Sequence, residues 1–292
     1  MGPYSSIKNY KARLLTGVSG MRGHLVKAVT LDLWETLLLE REGDSKQRNM
    51  MRCDSLSRAL KEIGLHISNR QFALALKEMS AWLASFWEVE KEVTHSDQIR
   101  FLIKSASGGS ILMKDEWFER LSSAYVSPFF ELPPHLNPET SELLRWLKKR
   151  DKRIGLISNV GMTPGFALRR FLGGQRVGRY FDSMIFSDEV GLRKPNPAIF
   201  HLASHRLGAR PDEVVHIGDD LRSDIWGAKK AGFKAIYLST DIGRNKTAER
   251  DPTSLVSVWR RVSGKLAEGD ATPDRTITTL RMAIEMIDQL DT

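Results

Sequence analysis

Four short stretches of the chain hold residue types that could carry out chemistry on an anion with the help of a cation. Val29-Thr30-Leu31-Asp32-Leu33-Trp34-Glu35-Thr36-Leu37 sets an aspartate at the end of an apolar run. Gly155-Leu156-Ile157-Ser158-Asn159 ends a second run with a hydroxyl. Gly191-Leu192-Arg193-Lys194-Pro195-Asn196-Pro197 offers an ammonium just before a helix that begins at proline. His216-Ile217-Gly218-Asp219-Asp220-Leu221-Arg222-Ser223-Asp224 closes a further run with three acids. Each has a plain structural alternative. Asp32 suits a helix cap and Ser158 a turn, Lys194 a solvated surface, and the acids a cap on the helix that follows. Three close acids would also repel one another unless a cation sat among them. Together, in this order, they supply a carboxylate, a hydroxyl, an ammonium and an acid pair for one divalent ion and one tetrahedral anion.

The elements that must position these residues follow from the apolar periodicity. Runs at Ala28–Leu33, Ile154–Ser158, Ser183–Phe186, Val214–Ile217 and Ala235–Leu238 read as buried parallel strands. Amphipathic helices at Glu139–Lys149, Gly165–Phe171, Pro197–Leu207 and Ser223–Ala231 alternate with the later ones. Such alternation predicts a parallel sheet covered on both faces, with its reactive site beyond the carboxyl ends of the strands. Between about residues 40 and 130 the alternation stops, and Lys46–Ile63, Arg70–Val93, Asp97–Lys104 and Lys114–Tyr125 look helical. Pro128, Pro133, Pro134 and Pro138 mark the return to the sheet. Thr276–Thr278 and Leu280–Leu290 read as an edge strand and a closing helix, after a polar insertion at 241–273 with a short helix near Ser254–Leu266.

These four motifs, each at a strand exit, resemble those of the haloacid dehalogenase superfamily, in the branch with helices inserted after the first strand. The Gly-Asp-x-x-x-x-Asp spacing followed by Ile225-Trp226-Gly227-Ala228-Lys229-Lys230-Ala231-Gly232 is the most characteristic part. The resemblance covers most of residues 27–238 and extends to the final strand and helix. It implies an α/β fold: a three-layer Rossmann-like parallel sheet core with an inserted all-helical cap domain. The implied division is an extension at 1–26, a core of 27–39 and 131–292, and a cap of 40–130. The implied function is that of a magnesium-dependent phosphatase, acting on a small phosphorylated metabolite through an aspartyl-phosphate on Asp32. Mg2+ would be held by Asp32, Asp219, Asp224 through water, and the backbone carbonyl of Trp34. Lys194 would place a second positive charge on the transferring group, while Ser158 and backbone N–H groups near Asn159 would hold a phosphoryl oxygen.

One position departs from the pattern. Family phosphatases usually carry a second aspartate two residues after the nucleophile, as proton donor and base, and here that residue is Trp34. Either Glu35, His66 or His95 supplies the proton, or the substrate's leaving group needs little protonation, as in an acyl phosphate. An aromatic residue here resembles the 2-haloacid dehalogenases, although those lack the full acidic cluster. A phosphonate-cleaving relative would need a cap lysine, and Lys46, Lys61 and Lys77 are not distinguished. A non-catalytic binding protein on the same fold is the remaining alternative.

Composition sets the wider limits. With 41% hydrophobic and 27% charged residues the chain reads as globular, and no apolar stretch approaches the length that spans a bilayer. The first residues lack the apolar segment of a secretory signal, and Cys53 is the single cysteine, so a reducing cytoplasm fits. The net charge of +8 suits an anionic small-molecule partner. Nucleic acid is not expected, because the nearest basic run, Lys148-Lys149-Arg150-Asp151-Lys152-Arg153, ends a helix whose dipole it complements. In the helical block, Trp82, Phe86 and Trp87 read as bundle core, with a substrate-facing aromatic wall as the alternative, and Arg52 and Arg58 either as solvated or as meeting a substrate anion. Oligomeric state is not legible.

Overall fold

The computed structural model describes residues 25–239 and 271–291. The segment 1–24, the Ser254–Leu266 helix and nearly all of the 241–273 insertion lie outside them. Six parallel strands form one sheet: β1 (Ala28–Leu31), β4 (Arg153–Ser158), β5 (Ser183–Phe186), β6 (Val214–Gly218), β7 (Lys234–Leu238) and β8 (Arg275–Ile277). Their order across the sheet is β5-β4-β1-β6-β7-β8. The first strand therefore lies in the middle, with every residue buried.

Alternation along β1 explains the layers. Val29 and Leu31 face a core shared with α5 (Thr140–Lys149), α6 (Gly165–Gly174) and the closing helix α10 (Met282–Leu290). Ala28 faces the other side, toward α8 (Pro197–Leu207) and α9 (Gly227–Lys230). A strand buried on both faces has no solvated side to show, which is why its sequence is largely apolar rather than alternating, with Thr30 the one polar residue. Register then fixes the active end. Leu31 pairs with Leu156 and Ile217, so Asp32, Ser158 and Asp219 leave three adjacent strands at nearly the same height.

The chain leaves the sheet through β2 (Leu38–Leu39) and returns through β3 (His135–Leu136), which pair antiparallel. The Asn137 amide donates to the Thr36 carbonyl at 3.1 Å and ties the two connections together. Between them lie α1 (Asp44–Lys61), α2 (Asn69–Trp87), α3 (His95–Ala106) and α4 (Phe118–Glu131), the last entered by a 3-10 turn at Asp115–Trp117. Ser68 and Thr94 cap α2 and α3, accepting from the N–H groups of Gln71 and Asp97.

Two expectations about this region change. Helix α2 stops at Trp87 rather than Val93, because Glu90 takes a left-handed φ of 57° and Lys91 then bridges to Leu192 in antiparallel fashion. Pro128 lies inside α4, so the helix continues to Glu131 before the return to the sheet. A short helix, α7 (Ser187–Val190), follows β5 directly. The basic run at 148–153 is absorbed by ion pairs: Lys148 with Asp182 at 2.7 Å, Arg150 with Asp288 at 3.3 Å, and Lys152 with Asp291 at 2.5 Å. Among the described residues no helix is long and apolar enough to cross a membrane.

Candidate active site

Asp32 stands one residue beyond β1 and is 6% exposed. Its backbone N–H still donates to the Ile217 carbonyl at 2.9 Å, so the strand ladder holds it rigidly at the sheet's edge. Leu37 and Leu38 both donate back to the Leu33 carbonyl at 2.8 Å, closing a tight loop over Trp34 and Glu35. The Trp34 ring turns toward the helical segment and meets Phe129 of α4 edge-on, with centroids 6.5 Å apart. The Trp34 backbone bridges to Leu38 in parallel fashion, which holds this loop beside the strand end.

Lys194 is 1% exposed, and its ammonium donates to Asp32 Oδ1 at 2.5 Å and to Asp224 Oδ1 at 2.6 Å. The Asn159 side chain fixes the lysine's backbone from both sides. Its Nδ2 donates to the Lys194 carbonyl at 2.9 Å, and its Oδ1 accepts from the Lys194 N–H at 2.8 Å. The Asn159 side chain is thus occupied in placing the lysine, a role separate from the backbone N–H groups expected to hold a phosphoryl oxygen. The Val160 N–H, nearest to it, donates to Ser187 Oγ at 2.9 Å. Ser158 is fully buried, and its hydroxyl makes only a long 3.3 Å bond to the Asn159 carbonyl.

The acids after β6 divide their work. Asp220 accepts from the N–H groups of Arg222 and Ser223, at 3.1 and 2.6 Å, and so caps the turn that follows. Asp224, on the π-helical turn Leu221–Trp226, folds back under the strand end. Its Oδ2 accepts from the Asp220 N–H at 3.0 Å, and its Oδ1 from Lys194 and from His216 Nε2 at 3.2 Å. The other nitrogen of His216 meets Thr30 Oγ1 at 2.9 Å. A buried chain thus runs Thr30–His216–Asp224–Lys194–Asp32. His216 was not among the expected site residues. The signal was available, since Thr30 and His216 are polar residues at the same register of two adjacent buried strands.

Carboxylate oxygens of Asp32, Asp219 and Asp224 all lie within 4.8 Å of one another. Burial pushes the Asp32 carboxyl up to about 7, against the pull of Lys194. Burial also raises Asp219 well above the ordinary carboxylate range, and Asp32, Asp224, Asp220 and Glu35 push it further. Burial acts in the same sense on Asp224, but Lys194 and His216 outweigh it and hold this carboxyl below its usual value. For Lys194 the desolvation is overcome by Asp224 and Asp32, so the ammonium stays charged. When all three carboxylates are ionised they exceed the single ammonium by two negative charges, and such hard oxygen donors suit a small divalent cation.

Of the three proposed proton donors, His66 is exposed in the α1–α2 connection, and the structure gives it no link to the acids. His95 is buried against Ser122 at 2.8 Å, and burial with the nearby Arg52 pushes it down to about 4, so it is neutral near pH 7. Glu35 alone is close enough to raise Asp219. Lys46, Lys61 and Lys77 are all exposed, with none carried into a site. Arg52 corrects the solvated-face expectation. It is 2% exposed, stacks 4.5 Å over Tyr125 and donates to the Tyr125 carbonyl at 3.0 Å, whereas Arg58 is exposed. Trp87 belongs to the bundle core as expected and also lies under the Arg193 guanidinium at 4.3 Å, whereas Trp82, stacked on Phe101 at 4.5 Å and edge-on to Phe86, is with Phe86 only half-buried against that core.

Comparison with known proteins agrees with this geometry. The model of haloacid dehalogenase-like hydrolases matches residues 26–232. A glyceraldehyde 3-phosphate phosphatase of Methanothermobacter thermautotrophicus is 37% identical over 39% of this chain and 48% of its own. A phosphoglycolate phosphatase of Nitrosococcus oceani is 36% identical over 36% of this chain and 45% of its own. The chain thus spans about half the length of the curated relatives it matches. In fold it resembles a 2-haloacid dehalogenase of Pseudomonas syringae, with a TM-score of 0.62 at 20% identity over 91% of this chain and 99% of that one.

Proposed function

Because the chain belongs to the haloacid dehalogenase-like hydrolases, we propose that it is a magnesium-dependent phosphatase for small phosphorylated molecules, with Asp32 as nucleophile. The observation that carries this reading is the convergence of Asp32, Asp219 and Asp224 within 4.8 Å of one another, with Lys194 paired to Asp32 and Asp224. Asp32, Asp219, the Trp34 carbonyl and, through water, Asp224 would hold the ion. When bound, it supplies charge neutralisation for a phosphoryl group approaching a carboxylate. Asp224 has all its near contacts within the chain, which supports an outer role: it orients Lys194 more than it grips metal.

In the first half-reaction an Asp32 oxygen bonds to phosphorus as the bond from phosphorus to the leaving oxygen breaks. Lys194 and Ser158 stabilise the equatorial oxygens, and the departing oxygen takes up a proton unless it is already a good leaving group. Water then attacks phosphorus, the bond to Asp32 breaks, and inorganic phosphate leaves with the carboxylate restored. With Trp34 at the usual position of the acid, Glu35 is the group that would manage protons. The segment 40–130 acts as the cap, closing over the site and selecting the substrate. Phosphatases are named among the relatives, and a phosphorylated small molecule is the substrate class this supports.

A dehalogenase is the second reading, and Trp34 is what favours it. The complete acid cluster stands against it, because halide leaves without a metal. The test is a panel of phosphorylated metabolites, acyl phosphates and 2-haloacids, each with and without magnesium, using Asp32→Asn as the blank. Magnesium-dependent release of phosphate supports the proposal; chelator-resistant release of halide overturns it.

A further inference from the structure

The turn after α2 reaches into the core beside Lys194, and nothing in the chemistry above uses it. Glu92 there is buried, its side chain 1% exposed, and pairs with Arg193 at 2.5 Å, whose own side chain is 3% exposed. Both oxygens of Glu92 are occupied. Oε2 also accepts from the Ser187 hydroxyl, while Oε1 accepts from Trp87 Nε1 at 3.2 Å and from the Val93 N–H at 3.0 Å. The Arg193 guanidinium lies 4.3 Å over the Trp87 ring, and Lys91 bridges to Leu192 through the backbone. The stretch immediately before Lys194 is therefore gripped by the helical segment through an ion pair, an aromatic face and a backbone bridge.

We propose that Glu92 is a positioning residue for Lys194, acting through Arg193, so that the lysine is fully placed only when the helical segment is docked. Among the described residues the core's hydrogen bonds to the Lys194 backbone come from Asn159, whereas the Arg193 side chain before it is held by Glu92 of the other segment. The ammonium must reach two carboxylates at 2.5 and 2.6 Å, and a displacement of about 1 Å at such a site costs roughly 10²-fold in rate. A buried pair suits this role because it gives a defined geometry and is disrupted by loss of either partner. The inference rests on the phosphatase reading, since Lys194 matters only if it serves the reaction.

The competing account is that the pair merely fastens two parts of the molecule, and the double variant separates the two. Glu92→Gln and Arg193→Gln each leave one buried charge alone and lose stability on either account. Glu92→Gln combined with Arg193→Gln leaves none, so it folds even if the single variants do not. The full-length protein and its variants are compared in magnesium-dependent hydrolysis of p-nitrophenyl phosphate, alongside amide hydrogen exchange across residues 191–196. The expected result is a kcat lowered about tenfold or more in the double variant, KM within about threefold of wild type, and faster exchange confined to 191–196. A double variant with wild-type kcat and unchanged exchange overturns the proposal, as does a folded Glu92→Gln with a wild-type rate. If wild type hydrolyses neither p-nitrophenyl phosphate nor an acyl phosphate, the phosphatase reading fails instead. Exchange at 191–196 that does not rise in the double variant still refutes the coupling on its own.

Discussion

Gly218 has no side chain because the carboxylate of Asp224 occupies that space: a Cβ built on Gly218 overlaps the Asp224 carboxyl group. The last residue of β6 and an acid on the following turn are thus packed against each other, which lets Asp224 reach back to Lys194 and His216. We expect Gly218→Ala to fold but to push Asp224 away, lowering magnesium affinity or turnover by about 10–100-fold. The magnesium dependence of turnover measures this, with circular dichroism as the check on folding. Wild-type kinetics in the folded variant would mean that Asp224 does not need that position.

Trp34 occupies the place where an acid would assist the leaving group. Trp34→Asp should raise kcat on alkyl phosphates by up to about 10²-fold and leave acyl phosphates nearly unchanged, because only the former need a proton. Parallel assays on both classes decide it. No gain on alkyl phosphates would show that the site has adapted to work without that acid.

Asp219 is held in a repulsive environment, with its carboxyl raised well above 3.8 by burial and by neighbouring carboxylates. A carboxyl raised on folding contributes stability at pH below its unfolded value and loses it as pH rises through the folded value. At pH 7 without metal, Asp219→Asn is therefore expected to raise Tm, by about 2–4 °C for each kcal/mol relieved in a chain of this size. Magnesium should raise the wild-type Tm and leave the variant's almost unmoved. A thermal melt series with magnesium and with chelator tests both halves.

Asp188, in the first turn of α7, accepts the Gly165 N–H at 3.0 Å and is raised from 3.8 to about 6, chiefly by burial. The same sign applies, so its contribution is present at acid pH and fades between about pH 4 and 6. Asp188→Asn keeps an acceptor for Gly165 and cannot titrate. Wild type should lose stability relative to this variant across that interval and run parallel to it above. Urea unfolding at several pH values reads the difference, and a constant gap would contradict the prediction.

Much of this site was legible before any coordinates, because buried parallel strands end at a common edge and Asp32, Ser158 and Asp219 each follow an apolar run. Lys194 was legible for a similar reason: a proline-started helix marks its loop. Other features depend on long-range partners that periodicity does not encode. The Asn159 side chain takes its place from the Lys194 backbone, 35 residues away. Arg52 carries a charge on a polar-looking helix yet is covered by Tyr125. The β2–β3 pair is two residues per strand, too short for any alternation to register. Glu92 and Arg193 lie about a hundred residues apart, so no local pattern links them.

The covalent step is the centre of the account. Rapid acid quench during turnover of a radiolabelled acyl phosphate, followed by peptide mapping, looks for it directly. The account predicts a phosphoryl group on the peptide carrying Asp32, formed only with magnesium and absent from Asp32→Asn. Sustained phosphate release with no label on that peptide, or with label on another residue, would contradict it.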